Sequence, residues 1–145
     1  MTLTFKSGFF YAMVKKIEHI GIAVEDIETS IELFESLLGE KCYKEERIDS
    51  EGVITAFFKV GESKIELLQA TRPDSAIAKF LQKGKRGIHH LAFEVDDMES
   101  ELHRLKTKGF VLIHESPIDG ADNKRIAFLH PGSTDGVLVE LCQEK

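Results

Sequence analysis

Tryptophan is absent from this 145-residue chain, and cysteine, tyrosine, proline and methionine are scarce, at 2, 2, 3 and 3 residues. Cys42 and Cys142 lie far apart with no C-x-x-C spacing, which excludes a zinc ribbon or a dithiol redox motif and leaves two reduced thiols, as in a cytoplasmic protein. No apolar run approaches the roughly 18 residues of a membrane span. Positive charge is also short: 19 Lys and Arg face 25 Asp and Glu, a net charge of −6. An acidic balance excludes the basic footprint expected of a protein that binds nucleic acid or an anionic membrane. What is present is ordinary for a single soluble domain, 42 % hydrophobic and 30 % charged residues.

Residues 1–12 carry one lysine and a short apolar patch, Phe9 to Tyr11, with neither the apolar length nor the cleavage site of a signal peptide. Regular patterning begins only after Met13. Residues 1–15 therefore read as an extension, with residues 1–12 expected to be dispensable, and 16–145 as one domain.

That domain is a duplication. IEHIGIAVEDIETSIELF from Ile17 recurs as IHHLAFEVDDMESELHRL from Ile88, so that a shift of 71 lays His19 on His90 and Asp26 on Asp97. At the far end KIELLQ recurs as LVELCQ, laying Glu66 on Glu140. Two copies are too few for a solenoid. Each copy reads strand–helix–strand–strand–strand: module 1 over about 16–70, module 2 over about 87–143, and a linker helix over about 74–83. In module 1 the strands are His19–Val24, Cys42–Arg47, Val53–Val60 and Lys64–Gln69. The helix is capped by Asp26, stopped by Gly39, and lines up Ile27, Ile31, Phe34 and Leu38. In module 2 the strands are His90–Val95, Val111–His114, Arg125–Leu129 and Val137–Cys142, with a helix from Asp97 to Gly109. The linker ends in Lys-Gly-Lys-Arg-Gly, a charge run that reads as solvated surface.

Alternation along a strand puts Ile20, Ile22 and Val24 on one face and His19, Gly21 and Ala23 on the other. His90 and Ala92 repeat the small-residue face, and the same alternation sends His89 to the bulky face, in a structural role. Glu66 and Glu140 each interrupt an apolar strand, where a lone carboxylate would cost several kcal/mol unless paired, neutralised or bound to metal. The His-then-Glu order recurs in both modules at separations of 47 and 50 residues. Pseudo-twofold symmetry can bring all four together. Two imidazoles and two carboxylates suit Co²⁺, Ni²⁺, Mn²⁺, Fe²⁺ or Zn²⁺, with Co²⁺ placed first, and four protein donors leave room for a substrate to chelate.

These segments, with DSAIAKFL (Asp74–Leu81) and HPGSTDGVLVEL (His130–Leu141), resemble the vicinal oxygen chelate superfamily and, within it, the methylmalonyl-CoA epimerases. The likeness covers Lys16–Gln143. It implies an α+β fold in which two βαβββ modules form a curved sheet around a metal site, with His19, Glu66, His90 and Glu140 as ligands. It also implies an acyl-CoA substrate, epimerisation through an enolate, and a homodimer. Some epimerases carry a glutamate, considered a catalytic base, in the strand after the Gly52-Val53 equivalent. The matching place here is Thr55, which takes no proton near neutral pH. Related glyoxalases use metal-bound glutamates as bases, which implies Glu140 and also Glu66, with Glu51 the nearest other carboxylate. Two other readings share the scaffold: glyoxalase I-type lactoylglutathione lyase, and a non-catalytic small-molecule-binding protein.

Overall fold

A computed structural model describes residues 14–145. The amino-terminal patch Phe9–Tyr11 and the dispensability expected of residues 1–12 lie outside the described residues. Module 1 runs β1 (Val14–Ala23), α1 (Ile27–Leu38), β2 (Lys44–Ile48), β3 (Val53–Val60) and β4 (Ser63–Ala70). Helix α2 (Ala76–Gln82) links it to module 2, which runs β5 (Gly87–Val95), α3 (Met98–Thr107), β6 (Ile118–Asp119), β7 (Lys124–Leu129) and β8 (Val139–Glu144).

The eight strands form one mixed sheet in the order β2-β3-β4-β1-β5-β8-β7-β6. In each module the first strand lies parallel to the last, β1 beside β4 and β5 beside β8, and the modules join where β1 meets β5 antiparallel. The seam between the copies is therefore the middle of the sheet, and His19 and His90 lie on its two strands.

Local chemistry sets the helices. Asp26 and Asp97, both extended, accept from the backbone N–H of Thr29 and Ser100, and Gly39 closes α1 in the left-handed region at φ 68°. Helix α1 packs Ile27 with Val24, Ala56, Phe58 and Leu67, and α3 packs Met98, Leu102 and Leu105 with Val95, Ala127, Leu129 and Leu141. These two clusters cover one face of the sheet. The opposite face is left to enclose a cavity.

Differences from the sequence reading are local. Strand β1 begins at Val14 rather than His19, so it takes in Val14 and Lys15 of the expected extension, and α2 runs over Ala76–Gln82, capped by Ser75, rather than over about 74–83. Val111–His114 is not a strand. It makes one bridge, Leu112 to Leu129, and pairing with β7 resumes only at Ile118–Asp119. The polar run after His114 has no partner strand that would reward an extended backbone.

Candidate active site

The cavity, about 410 Å³, is walled by alternate residues of the sheet: Val53, Thr55 and Phe57 from β3, Glu66 and Leu68 from β4, His19 from β1, His90 from β5, Glu140 from β8, and Lys124, Ile126 and Phe128 from β7. Such every-second-residue lining is what a pleated strand dictates. It brings together all four residues singled out by the repeat, each 5 % exposed or less.

Their donor atoms form a tight group. His19 Nε2 lies 3.1 Å from His90 Nε2, 3.2 Å from Glu66 Oε1 and 3.7 Å from Glu140 Oε1, while His90 Nε2 lies 3.5 Å and 3.2 Å from the same two oxygens. Donors held ~2.1 Å from one ion stand about 3.0 Å apart at right angles and about 3.4 Å apart in a tetrahedron. Three of the five spacings, 3.1, 3.2 and 3.2 Å, lie in that range, and the other two, 3.5 and 3.7 Å, lie just above it. Burial pushes the Glu66 carboxyl up, but hydrogen bonds and charge from His19 and His90 outweigh it and hold it at about 2. Burial likewise pushes His19 down, and the charge of Glu140 with hydrogen bonds to Glu140, Glu18 and Glu66 drives it well above its ordinary value. Buried carboxylates that force a proton onto a buried imidazole mark a place built for a cation. The residues fit a divalent ion.

Each imidazole is steadied from behind. For both Nε2 atoms to offer lone pairs inward, both Nδ1 atoms must carry the proton. That of His19 donates to Glu18 Oε1 at 2.7 Å, and that of His90 donates to His89 Nδ1 at 3.0 Å. Glu18 and His89 are themselves related by the shift of 71, so the residue preceding each of the two histidines does the same job in each module. This corrects the expectation for His89. The β1–β5 register passes from Gly21–His90 to Ile22–Ile88, which leaves His89 as the extra residue of a bulge. The bulge cancels alternation and turns His89 to the cavity wall, edge-on to Phe80 with ring centres 4.9 Å apart. Burial, then the charge of His90, lowers it to about 4, so His89 is a neutral acceptor.

Behind Glu18 runs an ionic chain that sequence reading missed. Lys64 Nζ lies 2.7 Å from Glu18 Oε2 and 2.7 Å from Asp122 Oδ2, and Lys44 Nζ reaches the other Asp122 oxygen at 3.0 Å. Asp122 sits in a left-handed turn (φ 59°) before β7, so the chain ties His19 to module 2. Its members are too far apart in sequence, from Glu18 to Asp122, for any spacing to announce them. Cys142 also lies near Glu18 and His19, but burial raises its thiol far above the usual range, and its sulfur faces the Phe93 carbonyl. It is no ligand.

Thr55 is buried in the cavity wall and carries no acid–base function. Glu51, in the β2–β3 turn, does reach the cavity. Its Oε2 is buried without a hydrogen-bond partner, and burial, then the charges of Glu140 and Glu66, push its carboxyl up to about 7.

A fold of paired βαβββ modules around a His/Glu cluster has known counterparts. The family profile of the Glyoxalase/Bleomycin resistance protein/Dioxygenase superfamily matches residues 18–128. The chain belongs to that superfamily. It is 38 % identical over 129 residues to the mitochondrial methylmalonyl-CoA epimerase of Homo sapiens, covering 88 % of this chain and 73 % of the relative. The crystal structure of methylmalonyl-CoA epimerase from Mycobacterium tuberculosis superposes with a TM-score of 0.88 at 36 % identity, over 93 % of this chain and 91 % of that one. A Streptomyces coelicolor methylmalonyl-CoA epimerase variant in complex with 2-nitronate-propionyl-CoA superposes with a TM-score of 0.86 at 34 % identity, over 90 % and 95 %. Superfamily and architecture thus agree with the resemblance read from the sequence. Among the described residues no helix is long and apolar enough to cross a membrane.

Proposed function

We propose that this protein interconverts (2R)- and (2S)-methylmalonyl-CoA. The observation that carries the reading is a compact cluster of two imidazoles and two carboxylates on the wall of a cavity, in a chain whose relatives are methylmalonyl-CoA epimerases. His19, Glu66, His90 and Glu140 would hold one divalent ion, Co²⁺ first, with Ni²⁺, Mn²⁺, Fe²⁺ or Zn²⁺ as the other ions that suit imidazole and carboxylate donors. When bound, the ion supplies a Lewis acid that stabilises negative charge developing on the thioester oxygen.

The chain's own residues do the rest. A hydrogen α to a thioester is weakly acidic, so a positioned carboxylate must take it and another group must return one to the opposite face. Glu140 is the proposed base from module 2. Glu66 is the corresponding carboxylate of module 1, and hydrogen bonds and charge from His19 and His90 hold its carboxyl below the usual range. Apolar walls from Val53, Phe57, Leu68, Ile126 and Phe128 exclude water from the carbanionic species. The glyoxalase I alternative has no such support from the relatives, and an acyl-CoA is the partner that fits them.

The deciding experiment is turnover of methylmalonyl-CoA of one configuration, against methylglyoxal with glutathione as the rival substrate. Glu140→Gln keeps the side chain's shape and one donor oxygen. It should retain metal and substrate while turnover falls about 10²-fold or more. Near-normal epimerisation by fully metallated Glu140→Gln would reject the base role. A homodimer is proposed from the resemblance and a cytoplasmic location from the two free cysteines, and sedimentation of the purified protein checks the dimer.

A further inference from the structure

Glu51 is half-buried, and one oxygen of its carboxyl group, Oε2, is buried with no hydrogen-bond partner. The β2–β3 turn holding it is firmly fixed. Glu51 N–H and Gly52 N–H donate to Ile48 and Asp49 carbonyls at 3.2 Å, Thr71 N–H donates to the Gly52 carbonyl at 2.7 Å, and the Arg72 guanidinium donates to the carbonyls of Asp49 and Ser50. Gly52 is required there, in the left-handed region at φ 68°, where a Cβ would also stand 2.9 Å from the guanidinium. All this order delivers one buried oxygen, Oε2, to the wall of the cavity that Glu140 also lines, with no protein group to bond. Leaving a buried carboxyl unsatisfied costs about 1–3 kcal/mol, and structures retain such groups where they act.

Glu51 comes from the outer end of module 1 and Glu140 from module 2, on the far side of the seam. Building on the epimerase reading above, we infer that Glu51 is the second catalytic residue, exchanging a proton with the α-carbon on the face of the substrate opposite Glu140. In one direction the Glu51 carboxylate takes the hydrogen: the C–H bond breaks, an O–H bond forms, and the electron pair passes into the enolate. The Glu140 carboxyl then delivers its proton to the other face, forming the new C–H bond as its O–H bond breaks. The reverse direction exchanges the roles, so one proton is shared between two carboxylates and no other reactant is consumed. An acid pushed up to about 7 by burial is suited to both giving and taking a proton near neutrality.

Glu51→Gln tests this in D₂O with each methylmalonyl-CoA epimer supplied separately to the metal-loaded protein. Epimerisation should fall about 10²-fold or more, with metal content unchanged. The epimer whose hydrogen faces Glu140 should still wash its α-hydrogen into solvent with retained configuration, a signature that a merely structural role would not give. Glu51→Asp, keeping the acid but shortening its reach, should recover part of the epimerisation. Near-normal epimerisation by Glu51→Gln, or equal loss of washout from both epimers, overturns the inference. Absence of any epimerisation by the unaltered protein overturns the epimerase reading instead, so the two failures are distinguishable.

Discussion

Gly21 faces His90 across the β1–β5 seam, and the space its missing side chain leaves is filled by the imidazole. A Cβ added there would stand 2.1 Å from His90 Cε1 and 2.5 Å from both ring nitrogens. Ordinary contact needs about 3.5 Å, so the ring or the strand must yield by about 1.4 Å. Metal ligation tolerates errors of only about 0.2 Å in donor distance, and the Nδ1 bond to His89 resists rotation of the ring. Gly21→Ala should therefore act as the loss of a ligand, weakening metal affinity by about 10²-fold. Competition titration with a chromogenic chelator measures this, and calorimetric unfolding of the metal-stripped protein shows whether the fold survives. Overpacking costs about 1–3 kcal/mol, which a domain of this size can absorb. A Gly21→Ala protein that binds metal with unaltered affinity would refute the packing argument, and with it the placement of His90 as a ligand.

Three further outcomes are expected. His89→Ala should weaken metal binding by about 10-fold, because His90 loses the acceptor that fixes its tautomer; unaltered affinity in the same titration would return His89 to a purely packing role. Lys64→Met should destabilise the protein by about 3 kcal/mol in urea unfolding, by stranding the buried Glu18 and leaving the half-buried Asp122 to Lys44 alone; a loss below about 1 kcal/mol would show that water or Lys44 takes over. The folded protein holds Glu51 above its unfolded value of ~4.3, so ionisation opposes folding, with no penalty below pH 4 and the full penalty above pH 7. In metal-stripped protein, Glu51→Gln should therefore raise stability by on the order of 2 kcal/mol at pH 8 and change it little at pH 4.5; equal effects at both pH values would count against the burial of that carboxyl.

Much of this was legible because duplication prints the same polar residues twice. His19, His90, Glu66 and Glu140 are conspicuous as buried-strand polar residues in matched places, and Asp26 and Asp97 announce the two helices. His89 was misplaced because strict alternation cannot foresee a bulge, which is set by how two strands fit rather than by either alone. Val111–His114 has strand-forming residues, but only the partner strand decides whether they pair. The ionic chain through Lys64 and Asp122, and the aim of Glu51, belong to side chains that meet only after the sheet has closed. A surface-looking turn such as Ser50-Glu51-Gly52 gives no sign of which way its carboxylate points.

The seam between the two copies bears on how a reaction at a flat intermediate can be run in both directions. A twofold rotation whose axis lies in the plane of a flat molecule exchanges its two sides, so a site built from two copies of one module offers each side a related set of groups. The ratio of forward to reverse kcat/KM is fixed by the equilibrium between the epimers, whatever the protein does. Individual kcat and KM values are not, and differences between the copies at the site bear on them. Two such differences flank the paired histidines: Glu18 opposite His89 in the repeat, and Gly21 opposite Ala92. To them is added Glu51, on a turn whose counterpart in module 2 is the irregular stretch after His114. Directional bias in this protein is thus written in the failures of its internal symmetry.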